Sequence, residues 1–310
     1  MHVHSSPPRP DGSRLMLAMA AVSALFIAEV GTALASGSLA LLGDAGHLLT
    51  DAASLGLAVF AVRRRRRPAS SRHTFGHFRT GILVAAANGA GLLVIAAWLL
   101  VAAIGRLGHP SAVLAGPVII VAAIGVVVNA GLIGLLHDAG DDLSVRSAML
   151  HVSADAVAGL GVLVSAVIIA TTGWLAADPV ATIVLALLIG VASVRLLREA
   201  TRILGEGTPR GLDPARVSAT MRSVLGVEGI HDLHIWAIDR QHLSLSAHVN
   251  LDDRPLGEVT AVLRDVESVL CAHYGIEHVT LQPECIACDS EGDLYCDLDD
   301  RHRAFHEALR

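Results

Sequence analysis

Two apolar stretches of this chain carry the same short spacing, His-x-x-x-Asp, at His47–Asp51 and at His151–Asp155. Residues four apart share one face of an α-helix, one turn from each other. If both stretches are helical, each presents an imidazole nitrogen and a carboxylate oxygen on one side. Two such faces turned together supply two nitrogens and two oxygens, a tetrahedral set suited to Zn2+. An ionised residue at mid-bilayer costs about 2.5–3.5 kcal/mol on insertion scales, so Asp51 and Asp155 need a partner or a water-filled cavity. One isolated pair reads equally well as satisfied structural polar groups; the duplication is what favours metal. Binding requires neutral His and ionised Asp, so it expels protons, and His titrates near neutrality. A site opening alternately to the two membrane faces would exchange metal for protons, with His47 and His151 as principal carriers. Asp44, one turn before His47, either extends the acidic path or sits at the helix end. Glu29, in an earlier apolar stretch, reads first as a satisfied structural group, hydrogen-bonded to Asn88 or Asn129, with a proton relay as the alternative.

Three further groups have ligand chemistry at weaker spacing. His73 and His77 lie in the loop Arg72–Arg79 and could bind metal at a cavity entrance; the plainer reading is a basic loop held by lipid headgroups. In the polar C-terminal third, a hairpin turning near Asp239–Arg240 places His231 across from His248 on one sheet face. His278 or Glu284 would be the third ligand, and His234 is expected on the opposite face with a structural role. Cys285 and Cys288 form one C-x-x-C, half of a zinc ribbon. Cys296, or His2 and His4 of the N-terminal tail, would complete it; otherwise these are free thiols.

The elements that must position these groups follow from composition. The 310 residues have a mean hydropathy of +0.58 and only 17% charge, against about 25% in soluble domains. The polarity is uneven, with long apolar stretches to about residue 197 and soluble character beyond. Spans of about 20 apolar residues are expected at 15–35, 39–62, 81–105, 113–136, 146–172 and 178–197. Arg9 and Arg14, Arg63–Arg67, Arg72, Arg79, Arg146, Arg195, Arg198 and Arg202 all fall on one side of a six-span bundle, and only Arg106 on the other. The positive-inside rule makes that side cytoplasmic, with both termini. No cleavable signal peptide is expected at the polar, Pro-rich start. All 23 basic residues are Arg, clustered at membrane edges beside a net charge of −6, which does not suggest nucleic-acid binding. Beyond residue 205, period and alternation predict a helix at 213–225, strands at 230–238 and 243–250, a helix at 256–273 and a strand at 276–283. That order, αββαβ, makes a small two-layer α+β domain. The expected organisation is a cytoplasmic tail at 1–14, a six-helix transmembrane domain at 15–204, a cytoplasmic metal-sensing dimerisation domain at 205–284 and an acidic, Cys-containing tail at 285–310.

The stretches Ser38–Asp51, Phe75-Gly76-His77, His151–Asp155 and His231–Trp236 together resemble the cation diffusion facilitator family, in its zinc-transporting branch with His-x-x-x-Asp in the second and fifth helices. The resemblance runs from about residue 15 to 285. It implies a homodimer in the inner (plasma) membrane, a ferredoxin- or metallochaperone-like cytoplasmic domain, and Zn2+/H+ antiport exporting zinc. It implies that His47, Asp51, His151 and Asp155 are the transport site, and that His231 and His248 belong to a regulatory zinc site. Cys285 and Cys288 resemble a pair that, in some members, binds zinc with N-terminal ligands of the neighbouring subunit. Two stretches depart from the pattern: the loop after the fourth helix is only His137–Asp142, and Ser70 and Ser71 stand where some members place an acidic partner for His73 and His77.

Other readings make different demands. Export of Cd2+ or Co2+ needs the same ligands, whereas two imidazoles disfavour Mn2+. An intramembrane zinc enzyme needs a general base beside its ligands, as in H-E-x-x-H, and residues 48 and 152 are Leu and Val. A membrane metal sensor would keep its function after Asp51→Ala.

Overall fold

A computed structural model describes the backbone over residues 12–50, 64, 69–137, 143–285 and 294, with the side chains of 12–22, 135–137, 143–148 and 150–151 outside the described set. Among the described residues six helices come first: α1 (Gly12–Ser36), α2 (described over Leu39–Thr50), α3 (Thr80–Gly108), α4 (Ala115–His137), α5 (Leu143–Thr172) and α6 (Ala177–Leu204). Helices within α3 to α6 are long and apolar enough to cross a membrane, with mean hydropathies of 2.2 to 2.4. Contacts divide the chain into two units, residues 1–57 with 87–196 and residues 58–86 with 197–310.

The first unit is inside out by the standards of a water-soluble bundle. Ile27, Leu34, Val94, Val101 and Val127 are each about 70% exposed, while Glu29 and Asp178 are 1% exposed. Outward apolar side chains around buried carboxylates are the pattern a lipid solvent imposes. Small residues let the backbones approach closely: Ala33, Ala40, Ala122 and Ala166 are buried against Leu41, Val118, Val162 and Leu185. Gly37, at φ +75°, makes the left-handed turn from α1 to α2, and the Arg106 guanidinium donates to its carbonyl at 2.6 Å. Ser38 then caps α2, its hydroxyl accepting from Leu41 N–H at 3.1 Å. Asp178, at the start of α6, completes the cap from another helix. It accepts from the Ser38 hydroxyl at 2.5 Å, from Leu39 N–H at 2.9 Å and from Ala40 N–H at 3.3 Å. These bonds answer the orphan donors of a buried helix start.

The second unit contains α7 (Pro214–Arg222), β1 (Gly229–Ala237), β2 (Leu243–Asn250), α8 (Leu256–Tyr274) and β3 (Ile276–Glu284), the order read from the sequence. Asp213 caps α7 ahead of Pro214, and Gly275, at φ +65°, closes α8. The strands lie in the order β1-β2-β3, with β1 antiparallel and β3 parallel to β2. One sheet face packs Ile230, Ile235, Leu245, Ala247 and Val249 against Val217, Met221, Val266 and Leu270 of the helices. The other carries the polar residues of interest. It also has a defect: His231 pairs with His248 and His234 with Ser246, so β1 spends three steps where β2 spends two. This bulge holds Asp232 at φ +50°, a conformation that Asp tolerates better than most residues. The extra residue cancels the alternation, so His234 shares the face of His231 rather than taking the opposite one, a correction to the hairpin reading.

Candidate metal centres

In the helical unit, α2 and α5 carry the two motifs. His47 Nδ1 stands 4.0 Å from Asp155 Oδ1, with side-chain exposures of 26% and 15%. Both line a small cavity shared by Glu29 and Leu25 of α1, Asp44 of α2, and Gly125 and Asn129 of α4. Asp51 lies outside the described residues. His151 falls within α5, one turn before Asp155, with its side chain outside the described set. The structure therefore brings together one member of each motif, across two helices. Tetrahedral zinc with bonds of about 2.0–2.1 Å has ligand atoms about 3.3 Å apart, so these two donors need close only a fraction of an ångström. Glu29 departs from its sequence reading: its Oε2 is buried and, among the described residues, makes no hydrogen bond to Asn88, Asn129 or any other group.

On the polar sheet face, His231, His248 and Glu284 offer ligand atoms within 4.8 Å of one another. Strand pairing puts the imidazoles side by side, with ring centroids 5.1 Å apart. Glu284, at the end of β3, reaches both: Oε2 is 3.2 Å from His231 Nε2 and Oε1 is 2.8 Å from His248 Nδ1. Neither nitrogen meets the geometry of a hydrogen bond, although both are buried. Two imidazole nitrogens and a carboxylate converging this closely are a donor set of the kind that holds Zn2+. The bulge adds a residue missed in the sequence: Asp232 Oδ2 lies 3.4 Å from His248 Nε2, while Oδ1 lies 3.1 Å from His234 Nε2. A carboxylate on the far nitrogen of a ligating His orients the ring and raises its basicity. The adjacency His231-Asp232 was the only signal, and ordinary strand alternation would have turned Asp232 away.

Two family models match this chain: the cation efflux transmembrane domain over residues 15–204 and the cation efflux protein cytoplasmic domain over residues 209–285. The chain belongs to the cation efflux family. The zinc transporter ZitB of Pectobacterium atrosepticum is 36% identical over 99% of this chain and 95% of its own. A cadmium, cobalt and zinc/H(+)-K(+) antiporter of Bacillus subtilis is 35% identical over 91% and 92%, and the metal cation efflux system protein CzcD of Cupriavidus metallidurans is 34% identical over 93% and 91%. As a cation efflux protein the chain is a multi-pass membrane transporter and not an enzyme.

The remaining ligand candidates of this cation efflux protein fare differently. His278 does not join the cytoplasmic cluster. It pairs with Ser244 and sets its ring against Phe75, with centroids 5.4 Å apart. Six strand residues, about 20 Å, separate it from Glu284 on the same face. His73 and His77 do meet, with ring centroids 4.4 Å apart, but the described residues add no third ligand to them. Cys285 is exposed and not in a disulfide; Cys288, His2 and His4 lie outside the described residues.

Proposed function

We propose that this cation efflux protein exports Zn2+ from the cytoplasm in exchange for protons, across the inner (plasma) membrane, by alternating access. His47, Asp51, His151 and Asp155 bind the ion as substrate. The observation that carries this reading is the apposition of His47 and Asp155, from two helices, in a polar cavity inside a unit whose outer surface is apolar. Two imidazoles and two carboxylates carry a net charge of −2 when ready for metal. Zinc neutralises that set; after its release the same groups take up protons, which restores a low charge for the return. The name of the Bacillus subtilis relative, a zinc/H(+)-K(+) antiporter, supports the coupling.

The cytoplasmic cluster of His231, His248 and Glu284 has three protein donors. It reads as a regulatory zinc site in a homodimer, with Asp232 positioning His248. Cd2+ and Co2+ fit the same donors. Both termini lie in the cytoplasm in this reading, which the arginine distribution supports.

Zinc uptake into proteoliposomes with an imposed pH gradient tests the reading. Asp155→Ala and Asp51→Ala are expected to abolish gradient-driven uptake. Wild-type uptake in either variant overturns it.

A further inference from the structure

The four transport ligands leave the acidic side of their cavity unexplained. Glu29 of α1 is 1% exposed and its Oε2 makes no hydrogen bond among the described residues, yet it lines the cavity that His47 and Asp155 line. Asp44 joins it from α2, one helical turn before His47. The cavity measures about 10 Å3, room for about one water-sized particle. Two glycines on facing helices keep that space clear. A Cβ on Gly125 of α4 would stand 3.3 Å from Glu29 Oε1, and one on Gly159 of α5 would stand 3.6 Å from Asp44 Oδ2. A buried carboxylate oxygen left without a hydrogen bond is costly and calls for a ligand.

We propose that Glu29 and Asp44 form a second, oxygen-only cation position, on which the divalent ion rests as it passes between the His-containing site and one membrane face. This rests on the transport reading above. The chemistry differs from that of the first site in a useful direction. Zinc prefers imidazole, and carboxylates alone suit harder ions, so zinc held by Glu29 and Asp44 is held weakly and moves on. The position is a relay, and its loss slows passage without weakening capture.

Purified full-length protein in proteoliposomes tests this through turnover and apparent KM for Zn2+, together with zinc/zinc counterflow at equal pH. Glu29→Gln keeps the shape of the side chain and removes only its charge. Turnover is expected to fall about tenfold or more with KM within about threefold of wild type, and counterflow to fall in step. Glu29→Asp is expected to recover part of the turnover. Wild-type turnover in Glu29→Gln overturns the relay while Asp155→Ala, inactive alongside it, leaves the transport site standing. A tenfold rise in KM at unchanged turnover also overturns it, because Glu29 would then belong to the first site. So does intact counterflow beside lost gradient-driven uptake, the mark of a group that handles protons only. Should Glu29→Gln fail to give a monodisperse protein, Gly125→Ala keeps the carboxylate but crowds it. The same loss of turnover is expected, and wild-type turnover there refutes the relay.

Discussion

His47 Nδ1 and Asp155 Oδ1 face each other at 4.0 Å across the gap between α2 and α5. That separation is too long for a hydrogen bond and close to what two ligands of one ion require. The selectivity of the proposed site should therefore depend on the imidazole. Replacing it by oxygen makes the set harder, so His47→Asp should lower zinc turnover and make Mn2+ a better competitor, by about tenfold, or about 1.4 kcal/mol. Competition of Mn2+ against radiolabelled zinc in proteoliposomes measures this; unchanged competition would mean that His47 does not touch the ion.

Asp178 should matter to transport without touching metal. Its carboxylate completes the start of α2, the helix that carries His47. Asp178→Ala would strand the Ser38 hydroxyl and two N–H groups in a buried position, each such loss costing about 1–3 kcal/mol. The unfolding temperature of detergent-purified protein should drop by several degrees, and zinc uptake should fall with it. Asp178→Asn, which still accepts, should lose less. Equal stability of Ala and Asn variants would show that the cap contributes little.

In the cytoplasmic cluster, Glu284→Gln or His231→Ala removes a donor and should abolish tight zinc binding there. Asp232→Asn is the finer probe, because Asn tolerates the φ of +50° held in the bulge. Loss of the charge behind His248 should weaken zinc by about 10–100-fold. Calorimetric titration of the full chain, in an Asp155→Ala background that silences the membrane site, reads this directly; His278→Ala should leave the affinity unchanged.

Asp239 sets a pH dependence of stability. Burial alone would raise its carboxyl, but the N–H groups of Gln241 and His242 and the His242 ring, bonded at 2.8, 2.9 and 2.8 Å, together hold it below its ordinary 3.8. A carboxyl lower in the folded than in the unfolded state stabilises the fold above the unfolded value, and that stability is lost as pH falls through the folded value. Asp239→Asn should therefore be less stable than wild type by a constant margin from about pH 7 to 5. The margin should shrink below about pH 4. Thermal unfolding across that range gives the answer, and a margin that grows on acidification would reverse the sign of the argument.

The sequence by itself determined whatever depends on neighbours along the chain. Four-residue spacing predicted common helix faces for His47 with Asp51 and for His151 with Asp155, and apolar length announced the membrane helices. Alternation and a turn near residue 240 set His231 opposite His248. These are local periodicities, fixed by the pitch of a helix and the pleat of a strand. Only the tertiary structure decided which faces meet. His278 and Glu284 have the same parity on β3 and read alike in sequence, yet parallel pairing with β2 delivers Glu284 to the histidines and leaves His278 about six residues away. One inserted residue at Asp232 turned His234 to the other face and gave His248 its carboxylate. Asp178 reads only as the first residue of the sixth span until α6 is laid against the start of α2. Glu29 reads as a satisfied core carboxylate until packing leaves its oxygen beside an open cavity. Each of these depends on contacts between elements far apart in the chain, where a shift of one residue or one turn changes the partner, and no period in the sequence carries that information.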